Sequence, residues 1–334
     1  MHSFRNDYSE GAHPKVLQAL AEANLTQTDG YGLDPFCQEA ADLIRRLCRA
    51  PSAEVHFLIG GTSVNLVTIE ALLQPYEAVI AAATGHVAVH ETGAIEATGH
   101  KVLTAPAPDG KLTPELVEGV LAAHSSEHMV FPRLVFVSNT TELGTVYTTA
   151  ELSALRECCR RNGLLLYLDG ARLGAAMAAG GPGLPELAAL TDAFYIGGTK
   201  NGALFGEALV LTVPCPHYRW YMKRRGAMLA KGRLLGIQFK ALLEDGLYWE
   251  LARHANEMAR RLRDGIAGLG YEPVVRSETN QQFFVMPEGV VKALGEKGCA
   301  FECEAAGDGL MQVRFVTSWA TPEGAVAELL ELLA

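Results

Sequence analysis

Long apolar runs are missing from this sequence. A helix that spans a bilayer needs about 18 or more apolar residues with few charges, and no segment of the 334 residues meets that requirement. Residues 1–14 also lack the apolar core of a secretory signal. These absences argue against a membrane-spanning or secreted protein, and we expect a soluble, cytoplasmic one.

Long basic tracts are also missing. The chain has 28 Lys and Arg against 38 Asp and Glu, which gives a formal net charge of −10. An acidic chain is not attracted to nucleic acid or to an anionic membrane, so neither is expected as the main partner. The local exception is MKRRGAMLAKGR, residues 222–233. Two interpretations stay open for it: a solvated helix face, or a site for a phosphate or carboxylate group.

Metal-binding cysteine pairs are absent as well. The seven cysteines include no CxxC pair, although Cys158 and Cys159 are adjacent and Cys299 and Cys303 are four residues apart. None of these spacings is typical of metal ligands, so no metal site is predicted. Free thiols in a reducing compartment fit the pattern best.

Helical and strand-like segments alternate between about residues 35 and 212. Short apolar runs predict buried strands at 56–61, 78–83, 133–139, 163–170 and 192–198. Apolar spacing and capping residues predict helices at 35–48 and 64–73, from Pro114 onward, and at 149–162, where Thr148 and Glu151 form a capping box. Short apolar runs separated by helices are typical of a parallel sheet covered on both faces. The fold class is therefore α/β.

The last part of the chain has a different pattern. A helical stretch at about 226–268 is followed by segments that predict strand, strand, helix, strand, strand and helix, the first of them EPVVRS at 272–277. This order predicts a smaller α+β unit with its own core. We divide the chain into an N-terminal segment, 1–14, a large domain, 15–245, and a small C-terminal domain, 246–334. The N-terminal segment is expected to pack onto one of the two domains.

The first candidate for a binding site is the motif IGGTSVN at residues 59–65. Its glycines end a predicted strand, and Thr62, Ser63 and Asn65 begin a helix. Backbone N–H groups at a helix N-terminus attract anions, which suits a phosphate group. An ordinary capped turn between strand and helix explains the motif equally simply.

Three further candidates follow other predicted strands. Asp169 ends the apolar strand of YLDGARL, where α/β proteins bind ligands. Lys200 lies among small residues in YIGGTKNGA, and a nucleophilic lysine needs a lowered pKa. His86 follows the strand at 78–83. An N-cap or ion pair for Asp169, a surface loop for Lys200 and a structural role for His86 are the simpler alternatives.

Taken together, the four features predict a site for pyridoxal 5′-phosphate (PLP). This cofactor requires a phosphate cradle, a group beside its ring, an acid for its ring nitrogen and a lysine for its aldehyde. The motif around Thr62, then His86, Asp169 and Lys200, supply these groups at successive strand ends. An acid in contact with the ring nitrogen keeps it protonated because opposite charges stabilise each other.

The residues that carry these features resemble one family of PLP enzymes. The chain is similar to the low-specificity L-threonine aldolase and β-eliminating lyase family of fold-type I, in segments from residue 4 to residue 323. The segments are FRNDYSEGAHPKVLQAL, DGYGLDP, GGTSVNL, GHVAVHETGA, LDGARLGAA, GGTKNGALFGEALV and VRFVTSWATPE. The resemblance implies a large PLP-binding domain, a smaller C-terminal domain, and a homotetramer or homodimer with active sites at the subunit interface.

The resemblance also implies a role for individual residues. Lys200 would hold PLP as a Schiff base, Asp169 would contact the ring nitrogen, and His86 would stack on the ring and could act as a base. The phosphate would be held by Gly61, Thr62 and Ser63. Substrate binding would involve Asn6, Arg172, Arg314, Thr141 and Tyr31, the two arginines at the α-carboxylate. Tyr31, Lys223, Lys231 and Arg233 are the candidates to reach a neighbouring subunit.

One position departs from the family pattern. Many aldolases have Asn-Thr-His-Asn where this chain has Asn139, Thr140, Thr141 and Glu142. The family's histidine there touches the β-hydroxyl of the substrate, and threonine is a poor base, so His90 is a possible substitute.

The predicted reaction is cleavage of L-threonine, L-allo-threonine or a related L-β-hydroxy-α-amino acid to glycine and an aldehyde. The alternatives are β-elimination or another PLP reaction, and a catalytically silent scaffold. Nucleotide binding is disfavoured because IGGTSVN is neither a Walker loop nor a dinucleotide motif.

Overall fold

The computed structural model of the chain describes residues 2–334. The strands are β1 (Glu54–Leu58), β2 (Glu77–Ala82), β3 (Val102–Ala105), β4 (Phe131–Ser138), β5 (Leu165–Asp169), β6 (Ala193–Gly197), β7 (Glu207–Leu211), β8 (Gln281–Pro287), β9 (Glu302–Gly307) and β10 (Leu310–Val316). The helices are α1 (Pro14–Glu22), α2 (Pro35–Leu47), α3 (Gly61–Leu72), α4 (His86–Val89), α5 (Pro114–Ala122), α6 (Thr149–Asn162), α7 (Leu173–Ala178), α8 (Leu184–Leu190), α9 (Tyr218–Arg224), α10 (Arg233–Leu243), α11 (Leu247–Gly268), α12 (Glu288–Glu296) and α13 (Glu323–Leu333). None of these helices combines the length and apolar character that a bilayer crossing requires.

Seven strands form the larger sheet, in the order β1-β7-β6-β5-β4-β2-β3. Strands β2 to β6 run parallel, whereas β7 is antiparallel to both of its neighbours, β6 and β1. The expectation that the first strand is buried is wrong. Residues 54–57 are only half-buried and Leu58 alone is fully buried, because β1 is an edge strand.

This topology brings several strand ends to one edge of the sheet. Since parallel strands end on the same side, the residues after β2, β4, β5 and β6 lie along a common edge. Strand β1 points the same way because two antiparallel pairings separate it from β6. His86, Asp169 and Lys200 are therefore placed at the edge where ligands bind in α/β proteins.

Helix α6 shows how the local sequence determines where a helix begins and ends. The backbone N–H of Glu151 donates to the Thr148 hydroxyl at 3.2 Å, and the N–H of Thr148 donates to the Glu151 carboxylate at 2.8 Å. This confirms the predicted capping box. The helix ends at Gly163, whose φ of 65° lies in the left-handed region that favours glycine.

The smaller sheet is antiparallel, in the order β8-β10-β9. Its core cluster also includes residues of α11, α12 and α13. The predicted strand at 272–277 is wrong, since only an isolated bridge joins Pro273 to Phe284, and proline cannot donate to a ladder. The predicted helical stretch at 226–268 is helical only from Arg233 onward, and Gly246, which has a φ of 78°, divides it into α10 and α11.

The boundary after residue 245 stays a prediction. Helix α11 begins at Leu247 and contacts both α7, beside the larger sheet, and α13, beside the smaller one. The N-terminal segment also contacts both parts, contrary to the expectation that it packs onto one. Phe4 pairs with Ala300 and Val316 through backbone hydrogen bonds of 2.8 Å, and the N–H of His13 donates to the carbonyl of Gly202 at 2.9 Å.

Substitution of Phe4 tests how firmly this segment is attached. Phe4 is fully buried in the core of the smaller sheet, so Phe4→Ala should lower the free energy of unfolding by about 3–5 kcal/mol. Urea unfolding followed by circular dichroism measures the change. The exposed neighbour Arg5 provides the control, because Arg5→Ala should change stability by less than about 0.5 kcal/mol. Equal stability of the two variants would contradict the described docking.

Candidate active site

Lys200 lies in the turn that joins β6 to the antiparallel strand β7. Its Nζ is 6.0 Å from the ring centroid of Tyr8. Burial and the nearby charge of Arg172 lower the pKa of Lys200, although Asp7 and Asp169 act in the opposite direction. A lysine must lose its proton before it can act as a nucleophile, so the direction of this pKa shift suits that role.

Asp169, the last residue of β5, is buried and held by three donors. Its Oδ1 accepts hydrogen bonds from the Tyr195 hydroxyl at 2.5 Å and the Ala171 N–H at 2.9 Å. Its Oδ2 accepts from Nδ2 of Asn65 at 2.9 Å. Burial raises the pKa of Tyr195 well above its ordinary value, so the phenol stays a donor. Both oxygens of Asp169 are therefore held in place by hydrogen-bond donors of the chain.

His86 is connected to this carboxylate through two other side chains. Nδ1 of His86 is 2.8 Å from Oε1 of Glu91, and Nδ2 of Asn65 donates to that same oxygen at 2.7 Å. Burial acts to lower the pKa of His86, but the hydrogen bond with Glu91 and the charge of Asp169 outweigh it and raise the pKa. With Nδ1 facing Glu91, Nε2 is the ring nitrogen without a hydrogen-bond partner among residues 2–334.

Arg172 is buried together with Asp7. Its Nε donates to Oδ2 of Asp7 at 2.7 Å and its Nη2 to Oδ1 at 3.1 Å. Nδ2 of Asn280 also donates to Asp7, at 2.8 Å. Burial acts to raise the pKa of Asp7, but the charges of Arg172 and Lys200 and the hydrogen bonds from Arg172 and Asn280 lower it. Two of the donor nitrogens of Arg172 are thus occupied within the chain.

Arg314 approaches the site from the smaller sheet. It lies in β10 between Phe283 and Glu302 in the strand register, and its Nη2 is 2.6 Å from Oε2 of Glu302. Its Nε is buried and has no hydrogen-bond partner among residues 2–334. A buried cationic donor without a partner is costly, so this nitrogen is suited to an anionic ligand.

A cavity of about 300 Å³ lies beside these residues. Arg314, Glu142, His90, Thr84 and Phe283 contribute to its lining. The His90 ring is 5.6 Å from the His86 ring, centroid to centroid. The cavity thus adjoins the network of Asp169 and His86 and is large enough for a small amino acid.

The predicted phosphate site is the N-terminus of α3. No side chain caps this helix, whose N-cap is Gly60, and its first N–H groups have no partner within the helix. A Cβ on Gly61 would lie 3.2 Å from the Tyr195 hydroxyl. Thr62 is exposed and Ser63 half-buried. An exposed hydroxyl beside free N–H groups can receive an anion.

The polar groups of two other predicted residues, Thr141 and Asn6, are engaged with nearby residues of the chain. The Thr141 hydroxyl is 2.7 Å from that of Thr145 and accepts from the Leu143 N–H at 3.3 Å. Oδ1 of Asn6 accepts from its neighbours Tyr8 and Ser9, each at 3.0 Å. Their predicted contacts with substrate stay predictions.

Tyr31 lies with the basic segment and not with Lys200. Its φ is 59° and its ring is 4.4 Å from Nζ of Lys223. Arg225 binds the buried carboxylate of Glu70 at 2.8 Å, and Nη2 of Arg233 donates to the Asn24 carbonyl at 3.0 Å. Much of the positive charge is therefore paired within the chain, and neither of the two interpretations for residues 222–233 is tested.

Several site residues have no role in the sequence-based predictions: Asp7, Glu91, Tyr195 and Glu207. Asp7 and Glu91 stand inside segments quoted for the family resemblance, FRNDYS and HETGA, which could have pointed to them. Tyr195 could have been noticed as a residue with a polar hydroxyl in an otherwise apolar strand. Glu207 stands inside a third such segment, GGTKNGALFGEALV, as an acid at the start of a buried strand.

The fold is shared with distant relatives. A rice protein solved with PLP and tryptamine superposes with a TM-score of 0.77 at 16% identity, covering 99% of this chain and 82% of that one. The fold class is thus the predicted one, the α/β architecture of fold-type I PLP-dependent enzymes, with a mostly parallel sheet and a small antiparallel one.

Closer similarities identify the family. Residues 3–288 match the family model described as beta-eliminating lyase. A low specificity L-threonine aldolase from a Pseudomonas species is 36% identical over 98% of this chain and 95% of its own length. A threonine aldolase structure from Leishmania major has a TM-score of 0.97 at 47% identity, covering 100% of this chain and 98% of that one. The chain belongs to the β-eliminating lyase family, on its threonine aldolase branch, which confirms the predicted resemblance.

Removing the charge of Asp7 should destabilise the protein. Asp7→Asn leaves Arg172 buried without its partner, which should cost about 3–5 kcal/mol at pH 7. The folded pKa of Asp7 is below its unfolded value, so its contribution is full above the unfolded pKa and is lost as the pH falls through the folded one. The stability difference between variant and wild type should therefore shrink below about pH 4.

Urea unfolding between pH 3 and pH 8 measures this difference, and Glu257→Gln is the control. Glu257 forms an exposed pair with Arg260, and such pairs contribute less than about 1 kcal/mol. A difference for Asp7→Asn that stays constant with pH would contradict the ionised Asp7–Arg172 pair.

Proposed function

We propose that the chain is a PLP-dependent aldehyde-lyase. It cleaves L-threonine, L-allo-threonine or related L-β-hydroxy-α-amino acids to glycine and an aldehyde. The observation that carries the proposal is the meeting of Lys200, Asp169 and His86 at one sheet edge, in a chain of the threonine aldolase branch.

The residues present fit PLP. Asp169 offers a buried carboxyl group to the ring nitrogen, and hydrogen bonds from Tyr195 and Asn65 fix its orientation. Lys200 would hold the aldehyde carbon, His86 would lie at the ring, and the N–H groups of Gly61, Thr62 and Ser63 would hold the phosphate. When bound, PLP supplies a ring that accepts the electron pair released as a bond to Cα breaks.

Arg314 is the proposed principal anchor of the substrate carboxylate. Its buried Nε has no partner among the described residues and its side chain lines the cavity. Arg172 would assist with Nη1 alone, since Asp7 occupies its Nε and Nη2. Charge-assisted hydrogen bonds to a carboxylate fix its orientation as well as its affinity, so this anchor would decide which bond to Cα is aligned for cleavage.

The proton of the β-hydroxyl needs a base on the cavity side. His86 holds Glu91 through Nδ1, which leaves Nε2 free to accept a proton. His90 and Glu142 line the cavity next to it. The Thr141 hydroxyl is engaged with Thr145, so we assign proton transfer to His86, with His90 as the nearest substitute.

The proposal extends to assembly and location. The active protein is a homodimer or homotetramer with sites at the subunit interface, where Asn6, Thr141 and Tyr31 complete substrate binding. Tyr31 and Trp220 are exposed in the single chain, by 43% and 71%. Such exposed aromatic side chains support a contact with a second subunit around Tyr31. Seven free cysteines support a reducing compartment such as the cytoplasm.

Product analysis tests the reaction. With PLP and L-allo-threonine the wild type should release glycine and acetaldehyde and show a visible absorption band from bound PLP. Lys200→Ala should lose the band and most of the activity, because Lys200 is the residue proposed to hold the aldehyde carbon. Lys240→Ala, which removes a surface lysine paired with Glu39, should behave like wild type.

Two other results would change the assignment. Release of pyruvate and ammonia from L-serine, without release of glycine from β-hydroxy amino acids, would establish β-elimination in place of aldol cleavage. That result would agree with a Thr141 hydroxyl that is hydrogen-bonded to Thr145. No band after incubation with PLP would contradict the assignment of the cofactor.

Substitution of Arg314 tests the carboxylate anchor. Arg314→Gln should reduce kcat/KM for L-allo-threonine by about 10²-fold or more, since loss of one partner of a buried charged pair costs about 2–5 kcal/mol. The visible band of bound PLP should be retained. Arg276→Gln, which changes an exposed arginine paired with Glu278, is the matched control. An unchanged kcat/KM in Arg314→Gln would move the anchor to Arg172.

A further inference from the structure

We propose that Glu207 is a positioning residue for Lys200: its buried carboxyl group fastens the turn that carries the lysine to the end of β7. The inference rests on the proposed function, because it concerns the lysine that would hold PLP. Glu207 follows Lys200 by seven residues in the segment GGTKNGALFGEALV.

Glu207 is placed directly beneath the turn. It is the first residue of β7 and lies opposite Gly197, the last residue of β6, in the strand register. Only 4% of its surface is exposed. An acidic residue this deeply buried normally has a specific partner, and the partners here all belong to the turn.

The two carboxylate oxygens contact the two residues that precede Lys200. The N–H of Gly198 donates to Oε2 at 2.9 Å, and the Thr199 hydroxyl donates to Oε1 at 2.9 Å. The Thr199 hydroxyl in turn accepts the N–H of Gly206 at 3.0 Å. One side chain therefore joins both ends of the turn from Gly198 to Gly206.

The far side of the turn is held by other contacts. Nδ2 of Asn201 donates to the Tyr248 carbonyl at 2.7 Å, and the N–H of Leu204 donates to Gln238 at 2.7 Å. These bonds hold the residues after Lys200. Among residues 2–334, Glu207 is the side chain that bonds both residues before it, and the Gly198 N–H also donates to the Gly206 carbonyl at 3.1 Å. Removal of Glu207 would thus release the turn on one side only, which predicts misplacement of Nζ and not loss of the fold.

The ionisation of Glu207 suggests a conservative substitute. Burial raises the pKa of Glu207 to about 8, although the bonds from Thr199 and Gly198 and the charge of Lys200 act to lower it. This shift favours the neutral carboxyl group near neutral pH. When Oε1 carries the proton, the Thr199 hydroxyl changes from donor to acceptor, and Oε2 still accepts from Gly198. Glutamine has the same acceptor and donor in the same places, so Glu207→Gln should preserve the contacts and Glu207→Ala should remove them.

Covalent attachment of PLP to Lys200 gives a readout that does not depend on turnover. The apo protein is mixed with PLP at pH 7, samples are reduced with borohydride at fixed times, and the peptide that contains Lys200 is quantified by mass spectrometry. Attachment should be on the order of 10²-fold slower in Glu207→Ala, the usual effect of a misplaced reacting group. It should be close to wild type in Glu207→Gln.

Two further variants separate positioning from general stability. Glu77→Ala removes another buried acid, which binds the Gln74 N–H at 2.8 Å on β2, so it should lower the unfolding temperature but attach PLP at the wild-type rate. Thr199→Val removes one of the two links to Glu207 and should also slow attachment, even if Glu207→Ala does not fold.

The outcomes are distinct. Wild-type attachment rates in Thr199→Val and in folded Glu207→Ala would overturn the inference. Attachment in Glu207→Gln as slow as in Glu207→Ala would also overturn it, since the contacts would not be what matters. No attachment at Lys200 in the wild-type protein would instead contradict the proposed function.

Discussion

The buried ion pair of Asp7 with Arg172 joins parts of the chain that are remote in sequence. Asp7 belongs to the N-terminal segment, Arg172 follows the central strand β5, and Asn280, which also donates to Asp7, precedes β8 of the smaller sheet. A buried charge without its partner is strongly destabilising. The pair therefore fixes the smaller sheet, and Arg314 with it, relative to the strand end that bears Asp169.

Charge balance explains why so many ionisable groups can share this site. Lys200 and Arg172 are opposed by Asp7, Glu142 and Asp169, and each sign lessens the cost of burying the other. The pKa shifts of Arg172 and Lys200 have opposite directions because their partners differ. Arg172 has a direct carboxylate partner and stays charged, whereas Lys200 interacts with acids only through space, and burial lowers its pKa. A fixed cation and a releasable proton thus stand side by side.

Patterns that are local in sequence were predictable, and contacts between distant residues were not. The strands that end at Asp169 and Gly197 follow from apolar runs, and α6 follows from the capping box at Thr148. Strand β1 was predicted at 56–61, but its partial burial was not, because burial of an edge depends on the sheet order, which no local pattern encodes. The strand predicted at 272–277 does not form, because Pro273 has no N–H to donate to a sheet ladder.

The candidate site shows the same difference between local patterns and contacts between distant residues. His86, Asp169 and Lys200 stand out at strand ends, so their type and position point to chemistry. The partners that orient them, Asn65 for Asp169 and Asp7 for Arg172, are 104 and 165 residues away in the chain. Only the tertiary fold brings such groups together, and that is why the sequence predicts the reacting residues better than their supports.

Strand β9 is exposed along its whole length, and it provides Glu302, the partner of Arg314. Segments with few buried contacts open locally at the lowest free energy. The cofactor end of the site, by contrast, is surrounded by buried strands. The two ends therefore differ in compliance: the strand ends that carry Asp169 and Lys200 are stiff, while the β9 wall beside Arg314 can yield. Local opening of β9 would free Arg314 from Glu302 and leave the frame around Asp169 in place.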